Sequence, residues 1–110
     1  MESEDECVVA LVTAGSMPEA DLIADELMGT GLAACVNIVQ IESIYRWKGA
    51  VERGGEYLLV CKTHLECIEA LEARVKEMHS YEVPEILVLP ILGGSREYLS
   101  WLKEALSEPR

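Results

Sequence analysis

The chain has 110 residues, half of them hydrophobic, and carries nine basic against twenty acidic side chains for a formal net charge of −11. That length holds one domain and not two, and that charge excludes a phosphate-backbone binder, which needs dense Lys and Arg. No apolar run approaches the ~20 residues of a membrane-spanning helix, and the acidic start MESEDEC has neither the basic nor the apolar region of a secretory signal. The expectation is a single domain over 1–110 in the cytoplasm, with no nucleic acid or membrane as partner and a frayed leader over Met1–Glu6. An acidic surface serves solubility or attracts cations. Cys7, Cys35, Cys61 and Cys67 form neither a C-x-x-C pair nor a zinc-finger spacing. In the cytoplasm they are expected to be reduced.

Cys7–Thr13, CVVALVT, is almost wholly apolar and predicts a central strand. Ala14–Gly15 turns the chain. Ser16 is an N-cap candidate, with Glu19 as its capping-box partner and Pro18 in the first turn. Ala20, Ile23, Ala24, Leu27 and Met28 follow at helical spacing, and Gly29 and Gly31 close that helix. Leu32–Gly49 lacks helical spacing and is rich in β-branched and aromatic residues, so it reads as extended, with an interruption expected at Gln40–Ser43. A second extended run, Glu56–Lys62, follows a turn expected over Gly49–Gly55. The two make one long hairpin. Ala33–Lys48 would span roughly 50 Å at ~3.3 Å per residue, whereas a domain of this size has a radius of gyration near ~13 Å. The hairpin must bend, or its tip must leave the body and pair with something else. So long a strand edge is a liability for a monomer and predicts a homo-oligomer.

Thr63 is the next N-cap candidate, with Glu66 three residues on. Ile68, Leu71, Val75 and Met78 give the helix an apolar stripe that ends near His79. Val83 precedes Pro84 and is biased towards extended backbone. Ile86–Leu92 predicts a fourth strand, in which Pro90 removes a ladder donor and marks an edge or the end of pairing. Gly93–Gly94 turns the chain. Ser95 caps a last helix with Tyr98, Leu99, Leu102, Ala105 and Leu106 on one face. The order β-α-β-β-α-β plus a terminal helix is the ferredoxin-like α+β pattern, an antiparallel sheet with the first two helices on one face. Cys7–Val12 and Ile86–Leu92 hardly alternate, so the opposite face is apolar too. The third helix is short, which leaves a partner subunit as the natural cover.

Four segments, GLAACVNI (Gly31–Ile38), SIYRWKG (Ser43–Gly49), HSYEVPE (His79–Glu85) and YLSWL (Tyr98–Leu102), resemble the CutA family of divalent-cation tolerance proteins. The likeness covers roughly Val8 to Leu106. It implies a ferredoxin-like fold, a homotrimer with strands paired edge to edge between subunits, and a non-catalytic role in tolerance to divalent ions, copper above all. Some members place a proposed copper-binding cysteine at the end of the first strand; here Val12 stands there, beside Thr13. Some carry a second histidine before the one corresponding to His79; here that residue is Met78.

Histidine nitrogen and carboxylate oxygen suit copper, zinc or nickel. His79, Glu82 and Cys35 are therefore the candidate ligands for a weakly bound copper or other divalent ion. The competing reading has His79 capping the helix C-terminus and hydrogen-bonding across an interface, and Cys35 packed in its strand. Cys7 and Cys61 read as core, and His64 as a surface residue. Tyr45 and Trp47 share one strand face. With Lys62, Tyr81 and Glu85 they are candidates to line an intersubunit cleft for a small anionic ligand, as in trimeric sensors of the PII type. They serve equally as an aromatic cluster closing a trimer. There is no P-loop, G-x-S-x-G, H-E-x-x-H or Rossmann glycine pattern. The loop AGSMPE lacks the arginine that acyl-phosphate hydrolysis requires.

Overall fold

A computed structural model of the chain describes residues 6–107. Cys7–Ala14 forms β1, Met17–Gly29 α1, Cys35–Trp47 β2, Ala50–His64 β3, Ile68–Met78 α2, Ile86–Pro90 β4 and Arg96–Leu106 α3. The strands form one antiparallel sheet in the order β2-β3-β1-β4. This is the predicted α+β order. The Met1–Glu6 leader lies outside the described residues except for Glu6.

Alternation along the strands sorts the sheet into two faces. Ala10, Val12 and Ala14 of β1 and Leu59 and Cys61 of β3 face α1 and α2. There they pack against Ala20, Ile23 and Leu27 of α1 and Leu71 and Val75 of α2. Each fully enclosed large side chain of this core contributes about 1.5–3 kcal/mol. The other face is covered at one end only, where Leu99 and Leu102 of α3 pack with Cys7 and Ala34. Further along it, Val39, Leu87 and Leu89 remain about half exposed. The expectation that a short third helix cannot cover this face holds within the chain.

Ser16 and Ser95 cap α1 and α3, accepting from the backbone N–H groups of Glu19 at 3.3 Å and Tyr98 at 3.1 Å. Thr63 does not cap α2. It is the penultimate residue of β3, and its hydroxyl donates to the Leu32 carbonyl at 2.8 Å. The helix instead begins through a 3-10 turn, Leu65–Cys67, whose cap is His64. β4 ends at Pro90, two residues short of expectation, as the missing donor dictates.

The hairpin differs most from expectation. Its turn is confined to Lys48 and Gly49, both at positive φ (50° and 83°), the backbone that a two-residue hairpin turn of type I′ requires. β3 therefore starts at Ala50, and Gly54 and Gly55 pair with Ser43 and Glu42 inside the ladder. β2 runs through Gln40–Ser43 without a break. Only Tyr57–His64 of β3 pair with β1, so Ala50–Glu56 and the β2 residues opposite form a free two-stranded ribbon. Seven such residues reach roughly 23 Å. The longest axis is 44 Å and the radius of gyration 14.6 Å, above the ~13 Å of a compact chain this long. The tip leaves the body.

Leu59 sits fully buried at the centre of the sheet. Leu59→Ala is expected to lower the unfolding free energy by about 2–5 kcal/mol, read by urea denaturation at fixed protein concentration. Leu22→Ala, on the exposed side of α1, is expected to stay within about 0.5 kcal/mol.

Candidate functional site

The end of β1, the start of α1 and the end of α2 meet below the projecting ribbon, and His79 holds them together. Its backbone N–H bonds to the Val75 carbonyl at 2.9 Å and closes α2. Its side chain is wholly buried. Nε2 lies 2.6 Å from the Thr13 carbonyl of β1. A carbonyl only accepts, so Nε2 carries the proton. Nδ1 is left with a lone pair, which accepts from the Tyr81 backbone N–H at 3.0 Å. Both ring nitrogens are thus committed within the chain. His79 is the helix-terminal hydrogen-bonding residue of the alternative reading, but its partners are intramolecular, and it has no lone pair to offer a metal.

Glu19 completes this junction. Sequence spacing assigns its carboxylate to the capping box of α1; the structure sends it to the loop after α2. It accepts from the Ser80 N–H at 2.7 Å and the Ser80 hydroxyl at 3.0 Å, and lies 3.5 Å from His79 Nδ1. Burial alone would raise the Glu19 carboxyl. Donation from Ser80 and from the Gly15 N–H holds it below the usual carboxylate range against that burial.

Tyr81 then crosses back to the sheet. Its hydroxyl donates to Glu56 Oε2 at 2.7 Å, and its ring lies 4.7 Å from that of His79. Burial, and next the bond to the Glu56 carboxylate, push the phenol well above its ordinary range, so it remains a donor. A Cβ on Gly15 would stand 2.9 Å from the Tyr81 hydroxyl, which explains a glycine at that turn.

These groups frame an open cleft of about 460 Å³. Thr13 and Glu56 form its floor, Tyr45 and Trp47 of the ribbon one wall, and Ser80–Val83 with Glu85 the other. The register puts Thr13, Tyr45, Trp47 and Glu56 on one sheet face. Five of the residues singled out in the sequence, Tyr45, Trp47, Tyr81, Glu82 and Glu85, therefore do come together. Lys62 does not join them. It pairs with Cys35 at the far end of the hairpin and bonds to Asn37. The cleft is acidic, and its rim cation, Lys48, lies 3.8 Å from Glu82. A small anion is a poor match for it. Glu56, Glu19 and Ser80 were not singled out. The one available signal was Glu56, a lone acid at the head of the apolar run YLLVC.

The three candidate metal ligands are not assembled. Cys35 lies ten residues from Tyr45 along β2, roughly 33 Å if straight, while Glu82 is at the cleft and His79 beneath it. Cys61 is buried in the core, and that burial pushes its thiol up to about 12. Among the described residues, ligand atoms of one other group, Glu6, His64 and Glu66, all lie within 4.8 Å of one another. His64 Nε2 is 3.8 Å from Glu6 Oε1, and its Nδ1 accepts from the Glu66 N–H at 3.2 Å. The surface histidine of the sequence reading is a helix cap whose side chain is 15% exposed.

A family model described as CutA1 divalent ion tolerance protein matches residues 8–105. The chain belongs to the CutA1 family. The divalent-cation tolerance protein CutA of Thermus thermophilus is 50% identical over 97 residues, 87% of this chain and 94% of that protein. Protein CutA 1, chloroplastic, of Oryza sativa subsp. japonica is 42% identical over 112 residues, covering 98% of this chain and 63% of its own length. Among solved structures, the periplasmic divalent cation tolerance protein CutA from Archaeoglobus fulgidus has a TM-score of 0.89 at 39% identity, over 92% of this chain and 99% of that one. CutA1 relatives thus carry names from different compartments, and the family alone does not assign one to this chain.

Because the native Glu19 carboxyl is held below its unfolded value, its contribution to stability is present above the unfolded pKa of about 4.3 and is lost as pH falls through the native one. The difference in unfolding free energy between wild type and Glu19→Gln is therefore expected to be full near pH 6 and to shrink steadily under acid. A pH-independent difference, measured by urea denaturation, would show that the carboxylate charge is not what the Ser80 donors stabilise. His79→Ala leaves the Thr13 carbonyl and Tyr81 N–H without their partner and is expected to cost about 2–3 kcal/mol in the same assay.

Proposed function

We propose that this CutA1-family chain binds divalent cations, copper among them, weakly and reversibly, and that it contributes to tolerance of such ions by coordination and without catalysis. The observation that carries this reading is the Glu6–His64–Glu66 group. Family membership supports it, since the relatives are named for divalent-cation tolerance. One imidazole nitrogen beside two carboxylates is a donor set that suits Cu(II) or zinc. The geometry also supplies a reason for low affinity. A ligating histidine offers one lone pair and keeps a proton on the other nitrogen. An ion at His64 Nε2 would move that proton to Nδ1, which now accepts from Glu66. Binding would therefore cost one helix-cap hydrogen bond, about 0.5–1.5 kcal/mol.

The proposed working unit is a homotrimer. Its support is the free ribbon, the outer edges of β2 and β4, and the half-exposed Val39, Leu87 and Leu89, all of which copies of the chain would satisfy.

Native mass spectrometry of chelator-treated protein, before and after stoichiometric Cu(II) and then zinc, tests both parts. The expected species is a three-chain assembly taking up one copper per chain. His79→Gln should keep that uptake and His64→Ala should lose it. Copper retained by His64→Ala, or only a statistical spread of adducts on the wild type, would remove the site.

A further inference from the structure

The cleft under the ribbon holds an electrostatic demand that the His64 site does not touch. Glu56, on its floor, is only 8% exposed. Its carboxylate accepts one hydrogen bond, from the Tyr81 hydroxyl, and among the described residues it makes no ion pair. A buried carboxylate with unmet lone pairs is costly unless a donor or a cation reaches it. Glu82 and Glu85 add negative charge to the lining, and among the described residues Lys48 lies 3.8 Å from Glu82. The walls are the rings of Tyr45, Trp47 and Tyr81.

Carboxylates and aromatic faces together select one kind of cation. A small metal ion needs several oxygens closing on it at once, and the cleft's three carboxylates form no such group within 4.8 Å. It also gains little from a ring. An organic ammonium gains from both, through N–H donation to the acid and cation–π attraction to the ring faces, while its hydrocarbon body is buried against them. A cleft of about 460 Å³ is within the range of small-molecule sites. We infer that this cleft binds a small organic ammonium ion bearing at least one N–H, which donates to Glu56 while its alkyl body lies against Tyr45 and Trp47.

This inference is independent of ion coordination at His64. Isothermal titration calorimetry on the full chain at pH 7, in low salt with EDTA present, tests it with n-butylammonium as probe. Butan-1-ol, of the same size without charge, and butyrate, of opposite charge, are the comparisons. Saturable binding of butylammonium is expected at one site per chain, with both comparisons at least about tenfold weaker. Glu56→Gln keeps the shape and an acceptor for Tyr81, and is expected to weaken butylammonium about tenfold. Trp47→Leu, at a partly exposed position whose change does not threaten the core, should weaken it as well. Glu104→Gln on α3 should change nothing. Equal affinity for the alcohol, undiminished binding by Glu56→Gln and Trp47→Leu, or no saturable heat would each overturn the inference. EDTA removes divalent ions, so failure here leaves the proposed metal site standing, and failure of metal uptake leaves this one standing.

Discussion

β3 is nearly twice as long as the central strand it pairs with, and most of the molecule's features follow from that mismatch. Fifteen residues of β3 lie beside eight of β1. The paired half builds the core, because alternate residues Leu59 and Cys61 complete the layer that α1 and α2 cover. Within the chain the unpaired half pairs only with β2, so it becomes a ribbon with two free edges. A two-stranded ribbon alone is marginal in water. Continuity with the sheet below and the tight Lys48–Gly49 turn above keep it in register. The ribbon carries Tyr45 and Trp47 beyond the body, where they become one wall of a cleft and not part of a core.

The opposite wall depends on a side chain that behaves as backbone. Between the end of α2 and the start of β4 the chain has no ladder and no helix to satisfy its polar groups. His79 substitutes for both. One nitrogen donates to the β1 carbonyl of Thr13 and the other accepts from Tyr81. Glu19 extends the arrangement to Ser80. With those bonds in place, the Tyr81 ring has one direction to follow, over Gly15 and onto Glu56. The fold therefore orients the cleft through hydrogen bonds to a loop, which is why an imidazole, with one donor and one acceptor nitrogen, serves at this position.

Much of this fold was legible in the sequence, for identifiable reasons. Strands and helices were readable because Cys7–Thr13, the Ala20–Met28 stripe and the Leu71–Met78 stripe differ sharply in period. Ser16 and Ser95 were readable as caps because capping is local. The overlong hairpin was readable from chain length alone. The failures were positions where a local signal met a nonlocal partner. Gly54 and Gly55 look like a turn, yet a ladder partner holds them extended. Thr63 looks like a cap, yet its hydroxyl finds Leu32 across the fold. Of the cleft, the ribbon aromatics and the Tyr81–Glu85 segment could be named because they sit in short, unusual runs. Glu56 and Glu19 could not be, since their partners lie 25 and 61 residues away. Lys62 was misplaced for a related reason. Its strand face matches that of the cleft, but its position along the strand does not.

Charge and tautomer, more than residue type, decide what the molecule can hold. The chain has two histidines, and each spends its Nδ1 lone pair on a backbone N–H. They differ in what their Nε2 faces. For His79 it is a buried carbonyl, so releasing the ring would open the junction beneath the cleft. For His64 it is the exposed carboxylate of Glu6, so releasing the ring would cost a single cap. An ion seeking imidazole nitrogen thus meets a small barrier at one histidine and a large one at the other. The preference follows from hydrogen bonding and is invisible to a reading that counts histidines beside glutamates. The same reasoning separates the two acidic regions. Glu6 and Glu66 converge on a nitrogen and so favour coordination. Glu56 converges on a phenol and aromatic rings, and so favours a cation that brings its own hydrogens.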